Sequence, residues 1–319
     1  MYLFKYILKR LGLMLLTFLV ITTMCFVLIK LLPNFPAEQF GKDAELILKR
    51  RELLGYNKPM MVQYIRFWKY AVQGNFGISE QLYPGREVWD VFKEKIPYTV
   101  AVNLYSILLS IPLGLGLGIF AALKKNKWED HLISTGVMIF VSVPSFIYAF
   151  LVQYILYFKL GWSEAVMDTS QGAFGWVGFK SMIPAILSLS FGSIAGFARY
   201  TRAELTEVLT SDFMLLARTK GLTKGQATIR HALRNAMVPI FPMIIGEFVS
   251  IMSGSLIIEQ MFTIPGVGKL YINSIQGAIP DYNIFMLLTC FYTLIGLTAG
   301  IVVDISYGII DPRIRMGAR

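Results

Sequence analysis

The chain has 319 residues, of which 55% are hydrophobic and 16% charged, with a net charge of +10 and a mean hydropathy of +0.58. That balance excludes an ordinary soluble domain and points to a protein built into a bilayer. The two histidines, His131 and His231, lie far apart in the chain, so no HExxH zinc motif exists.

In chain order, residues 1–32 open with Lys5, Lys9 and Arg10 and continue as a charge-free run over 11–29. The basic start is that of a signal peptide, but no small-residue cleavage site follows, so the segment reads as an uncleaved first span. Residues 33–95 mix charges of both signs with Phe67, Trp68, Phe76, Tyr83 and Trp89. They read as a small helical cap, either a cover for the helix bundle or a docking surface. Residues 96–308 form the core, with further charge-free runs at 96–123, 131–158, 181–198 and 282–303. A run over 235–258 is interrupted only by Glu247. Each meets the threshold of about 18 residues for crossing the hydrocarbon core. Six spans result, the last five placed at about 96–123, 131–158, 181–203, 238–259 and 282–306, with a tail over 309–319. The apolar piece at 169–179 is too short and glycine-rich to span and is assigned to an external loop.

Cys25 and Cys290 fall within spans one and six and read as buried free thiols. Gly114 and Gly118, and then Gly246, Ser250 and Gly254, form small-residue stripes that let helix backbones approach closely. Pro112, Pro144, Pro184, Pro239 and Pro242 remove backbone hydrogen bonds in or at the ends of spans, so those places must face protein or a cavity. Glu247 is a carboxylate well inside a span, where charge is costly. Two readings stand for it: with Ser250 it lines a translocation path, or it makes a structural hydrogen bond to a neighbouring helix.

Between spans four and five lies a basic, polar segment, 210–237, reading as a hairpin of two short helices. Asp212 is a candidate N-cap, and Gly221 supplies a left-handed C-terminus. Thr223 with Gln226 has capping-box spacing for the second helix. Lysine and arginine placement orients the chain. With both termini inside, sixteen basic residues fall in inner segments, against Lys159, Lys180 and Lys269 in the two short outer loops. There is no G-x-x-x-x-G-K-[ST] phosphate loop and no GxSxG nucleophile elbow, so the chain has no means of its own to hydrolyse ATP or cleave a peptide.

At these residues a family resemblance enters. ARTKGL at 217–222 and HALRNA at 231–236, followed by Pro239, resemble the cytoplasmic signature loop of ABC importer permeases of the dipeptide/oligopeptide/nickel branch. In the general pattern Glu-Ala-Ala precedes the glycine; here Leu215, Leu216 and Ala217 keep only the last alanine. LPNFPA at 32–37, GNFGIS at 74–79, EQMFTIPGVG at 259–268 and DPRIR at 311–315 are similar to further pieces of the family, in the same order.

The resemblance implies an all-α membrane protein with six transmembrane helices in the type I importer permease fold. It also implies a helical extracytoplasmic loop after span one and coupling helices between spans four and five. It implies a prokaryotic cell membrane and four kinds of partner: a second, related permease, two ATPase subunits, an extracytoplasmic binding protein and a peptide substrate. No cofactor is expected on this chain, because ATP and Mg are used by the ATPase subunits. Asp212, Ala217, Arg218, Lys220, Gly221, His231, Arg234 and Asn235 are expected to couple to the ATPase. Gly74, Phe76, Gly77, Pro265, Gly266 and Gly268 are expected where the binding protein docks. A DNA-binding helix-turn-helix and a stand-alone secondary transporter are the rival classes. The first is disfavoured because the hairpin is hemmed between two spans.

Overall fold

Long apolar runs without charge favour helices, since inside a bilayer only a helix satisfies its own backbone within one segment. The computed structural model describes residues 2–32, 44–250, 256–277 and 280–310, and these are almost wholly helical. In chain order the elements are α1 (Tyr2–Leu31), α2 (Ala44–Leu54), α3 (Met60–Ala71), α4 (Val88–Leu123), α5 (Trp128–Ser142), α6 (Ser145–Gln153) and α7 (Trp176–Leu209). They continue with α8 (Asp212–Thr219), α9 (Lys224–Ala227), α10 (Leu233–Ala236), α11 (Ile240–Ser250), α12 (Leu256–Met261), α13 (Val267–Gln276) and α14 (Tyr282–Ile310). π-helical turns at Tyr154–Lys159 and Thr228–Ala232 extend α6 and join α9 to α10.

Among the described residues, α1, α4, α7 and α14 hold four stretches long and apolar enough to cross a membrane, and two bent helix pairs, each counted as one span, bring the number to six. One pair covers the third span expected from the sequence and is broken in its middle: α5 and the α6 segment to Lys159 meet at 102°. The reason is Pro144, whose ring and missing N–H stop α5 at Ser142; Val143 and Pro144 are extended, with ψ of 128° and 140°. The pair still has to carry the chain across. Ala122 at the end of α4 and Leu205 near the end of α7 share one apolar cluster, so both helices finish on the same side. The intervening chain must therefore return to the other side, and α5 alone, at about 22 Å, falls short of a core about 30 Å thick. The second pair joins the 224–236 helix to α11 at 52°. The continuity of the fifth span beyond Ser250, with Gly254, lies outside the described residues.

The chain divides into two units. The first comprises Met1–Val100, Gly172–Phe174 and Met252–Thr298. Its core joins Val88, Val91 and Phe92 of α4 to Val267 and Leu270 of α13 and to Ile284, Leu287 and Leu288 of α14. The expected helical cap after the first span is present as α2 and α3; residues 33–43 lie outside the described set. α3 packs Tyr64 and Phe67 against Phe26 of α1, and Arg51 grips Glu80 through two nitrogens, with both side chains 13% exposed. Burial is the largest single influence on Arg51 and opposes its charge, but the hydrogen bond to Glu80 and the attraction of Glu80 and Tyr56 together outweigh it and hold its pKa above the ordinary guanidinium value.

The second unit comprises Ala101–Gln171, Gly175–Ile251 and Ala299–Arg319. The Gly114/Gly118 stripe does here what its spacing predicts. A Cβ on Gly114 would stand 2.6 Å from Cβ of Phe197, and one on Gly118 2.6 Å from Cβ of Thr201, so α4 and α7 touch backbone to side chain. Gly246 of α11 meets Val303 of α14 in the same manner.

Candidate functional site

The hairpin between α7 and α11 is assembled by local chemistry. Ser211 is extended (ψ 154°) and Asp212 is already helical, so Ser211, not Asp212, is the N-cap of α8. The Ser211 hydroxyl bonds back to the carbonyl of Val208, which leaves Asp212 in the first turn, where its charge favours the helix dipole. At the other end Gly221 has φ 95°, a conformation open to glycine and strained for side-chain-bearing residues. Its N–H donates to Arg218 O and that of Leu222 to Ala217 O, the paired bonds of a Schellman ending. Thr223 and Gln226 form the complete capping box of α9, side chain to backbone in both directions.

Two faces result. Met214, Ala227, Ala232 and Ala236 are buried in one cluster with Ala122 and Leu205, and Ala217 and Leu222 pack against it half-buried. On the other face Asp212, Arg218, Lys220, Gly221, His231, Arg234 and Asn235 are all exposed. The structure thus brings the sequence-predicted residues of this hairpin onto one knob, with Ala217 at its inner edge. Four large apolar side chains share the exposed face: Phe213, Leu215, Leu216 and Ile229, the last 70% exposed. Sequence reading passed over them because each looks like a core residue; only the three-dimensional placement shows that they face outward.

The mount for this knob was also not visible in sequence. Asp130 of α5, almost wholly buried, is held bidentately by Arg202 of α7, with Nη2–Oδ2 at 2.7 Å. The same carboxylate accepts from Ser134 and from the backbone N–H of Asn126, a left-handed residue with φ 64° in the turn between α4 and α5. That turn is therefore locked to α7. Glu247 accepts a 2.8 Å hydrogen bond from Ser193 of α7, an interhelical bond of the kind one of its two readings expects. Ser250 ends α11, and its side chain lies outside the described residues.

The sequence relations decide what this architecture belongs to. A model of the binding-protein-dependent transport system inner membrane component matches residues 114–316, and one of the N-terminal region of such components matches 3–103. The chain belongs to this family. The permease is 33% identical over 312 residues to the dipeptide transport system permease protein DppB of Lactococcus lactis subsp. cremoris (strain MG1363), covering 98% of this chain and 99% of that protein. It is also 33% identical over 315 residues to DppB of Bacillus subtilis (strain 168), covering 98% of each chain. To the glutathione transport system permease protein GsiC of Escherichia coli (strain K12) it is 32% identical over 317 residues, covering 98% and 99%. The family is a membrane permease component of ABC transporters and is not itself an enzyme.

In the permease's first unit, Gly74, Phe76, Gly77, Gly266 and Gly268 all have structural work, and Pro265 is half-buried in the same turn as the last two. Gly74 and Gly77 have φ of 77° and 87°, Asn75 closes the turn onto the Gly77 N–H, and Phe76 packs against the core of that unit. The loop after them wraps a buried carboxylate: Asp281 Oδ2 accepts from Ser79 Oγ at 2.6 Å and from the N–H groups of Glu80, Gln81 and Leu82 at 3.0–3.2 Å. Oδ1 caps α14 through Ile284 N–H. The turn at 265–268 is shaped around a second buried carboxylate, Glu259, which accepts from Thr99 Oγ1 at 2.9 Å and Lys269 N–H at 3.1 Å. Gly266 and Gly268 are glycines because a Cβ at either would run into that carboxylate. Neither Asp281 nor Glu259 stands out in the sequence as a site residue. Cys25 and Cys290 are free thiols, Cys290 buried and Cys25 half-buried.

Proposed function

We propose that the permease forms half of the translocation pathway of an ATP-driven importer for peptides, delivered by an extracytoplasmic binding protein. In this reading it pairs with a second, related permease, and its hairpin is the coupling element that meets an ATPase subunit in the cytoplasm. The observation that carries the proposal is the exposed face of the hairpin. Phe213, Leu215, Leu216 and Ile229 stand among Arg218, Lys220, Arg230 and Arg234 on a rigidly capped knob. Apolar side chains exposed in a polar rim mark a protein contact. Peptides are the substrate class because the relatives named above are dipeptide and glutathione permeases.

Closure of the ATPase pair would push such a knob as a rigid lever, moving α7 and α11 together, provided the ATPase contacts it differently in its two states. The test is purification of the tagged chain in mild detergent from its own membrane, with co-purifying proteins identified by mass spectrometry. Recovery of an ATPase, a second permease and a peptide-loaded binding protein is the expected result. Transport by the chain reconstituted alone would refute it.

A further inference from the structure

Beside the hairpin the second unit holds a cleft of about 560 Å³. Its lining includes the buried Ala122 and Met214 together with Lys125 and Lys127 from the α4–α5 turn, Arg218 from α8 and Lys224 from α9. A lone carboxylate, Asp212, faces these four cations. Among the described residues none of the four has an ion-pair partner, whereas Lys124 next door is paired with Glu129 at 3.1 Å. Both sides of the cleft are held in place. Asp130 fixes the turn through Asn126 N–H and Arg202, and the capping box fixes the start of α9. Like charges set around one hollow repel each other, and an anion entering the hollow relieves that repulsion.

The depth of the cleft narrows the choice of anion. The charge-free part of α7, 181–198, is about 27 Å long, close to the thickness of the hydrocarbon core. From Arg199 the helix runs on to Leu209, about 15 Å further, beyond a headgroup layer about 5–7 Å deep. The cleft is lined by Leu209 and the residues that follow it, so on this side it opens into water and not onto lipid headgroups. We infer that this cleft receives acidic side chains of the ATPase subunit, which makes the Lys125–Lys127 turn a second contact element beside the hairpin. The inference rests on the coupling reading above and adds Lys125 and Lys127 to the residues that carry it.

The test uses the whole reconstituted transporter carrying Lys125→Glu and Lys127→Glu together, with Lys125→Arg and Lys127→Arg as the conservative control. Both lysines are exposed, so neither pair of substitutions threatens the fold. The glutamate pair is expected to weaken ATPase binding about tenfold and to flatten its salt dependence, while the arginine pair restores both. Zero-length carbodiimide cross-linking of the wild type is expected to join Lys125 or Lys127 to an aspartate or glutamate of the ATPase. Wild-type affinity and salt slope in the glutamate pair would overturn the proposal. So would a defect that follows the anionic-lipid content of the vesicles and not the ATPase, since that would give the cleft to a headgroup. A Gly221→Val complex separates the two levels. If it uncouples transport while the glutamate pair behaves as wild type, the hairpin reading stands and the cleft reading falls. If the wild-type chain holds no ATPase at all, both fall.

Discussion

The turn at 265–268 and the hairpin bend at 220–223 are both built on glycine, and both read as docking elements in the sequence. They end in opposite chemical states. Around 265–268 the polar groups turn inward: Thr99, Val267 N–H and Lys269 N–H are all engaged with Glu259 or with one another. Around 220–223 the caps satisfy the backbone, and the Lys220 side chain faces outward. A glycine-rich turn is thus no site in itself. What distinguishes an anchor from a handle is whether the side chains nearby find partners within the same chain.

The largest effect should come from damaging the inward kind of loop. In Asp281→Ala, Ser79 Oγ and three backbone N–H groups lose their acceptor in a buried setting. Leaving several buried donors unpaired is expected to destabilise the first unit by about 3–5 kcal/mol. Thermal unfolding of the purified protein in detergent reads this directly, and Asp281→Asn, which keeps an acceptor oxygen, should lose less. An unfolding temperature equal to wild type would mean that the carboxylate is not an anchor, and the contrast between the two turns would collapse.

The hairpin should respond in the opposite way, with function failing before stability. Gly221→Val forces a β-branched side chain to φ 95°, a strain of about 1–3 kcal/mol confined to one exposed bend. Peptide uptake should fall at least about tenfold, while insertion into the membrane and the melting temperature of the first unit stay unchanged. Normal uptake at normal expression would remove the bend from the coupling mechanism.

These two residues also mark how far the sequence could be read. Gly221, and Thr223 with Gln226, were legible because a cap closes within three to six residues, so the pattern and the structure it makes share one short window. Ser211 displaced Asp212 as N-cap by one position, the usual margin where a boundary depends on a single ψ. Asp281 is 202 residues from Ser79, Glu259 is 160 from Thr99, and Asp130 is 72 from Arg202. Nothing in a single sequence pairs such residues, because the fold brings them together. The same holds for Pro144: the residue signals a break, but the 102° bend depends on how α5 and α6 each pack on α7.

A finer cut is Thr223→Ala, which removes the hydroxyl that accepts from Gln226 N–H. Loss of such a cap costs about 1 kcal/mol, felt locally as fraying of α9. Amide exchange over 224–227 should quicken while the buried Ala232 and Ala236 stay protected, and uptake should fall less than in the glycine variant. If exchange spreads over the whole hairpin, the knob is a single cooperative turn, and the capping box holds more of it than its own helix.

The smallest change in stability belongs to Arg234→Ala. Arg234 is exposed and has no ion-pair partner among the described residues, so unfolding should shift by no more than about 0.5 kcal/mol. Its effect on coupling decides between the two meanings of an outward cation. A residue that only obeys the inside-positive charge bias has no partner to lose, and its removal leaves transport-stimulated ATP hydrolysis as it was. A residue that meets a carboxylate of the ATPase loses about 1 kcal/mol of contact, or roughly fivefold in apparent affinity, and the loss shrinks as salt rises. Salt makes the distinction cleanly. Measured at low and high ionic strength, the variant and the wild type converge only if the charge was engaged.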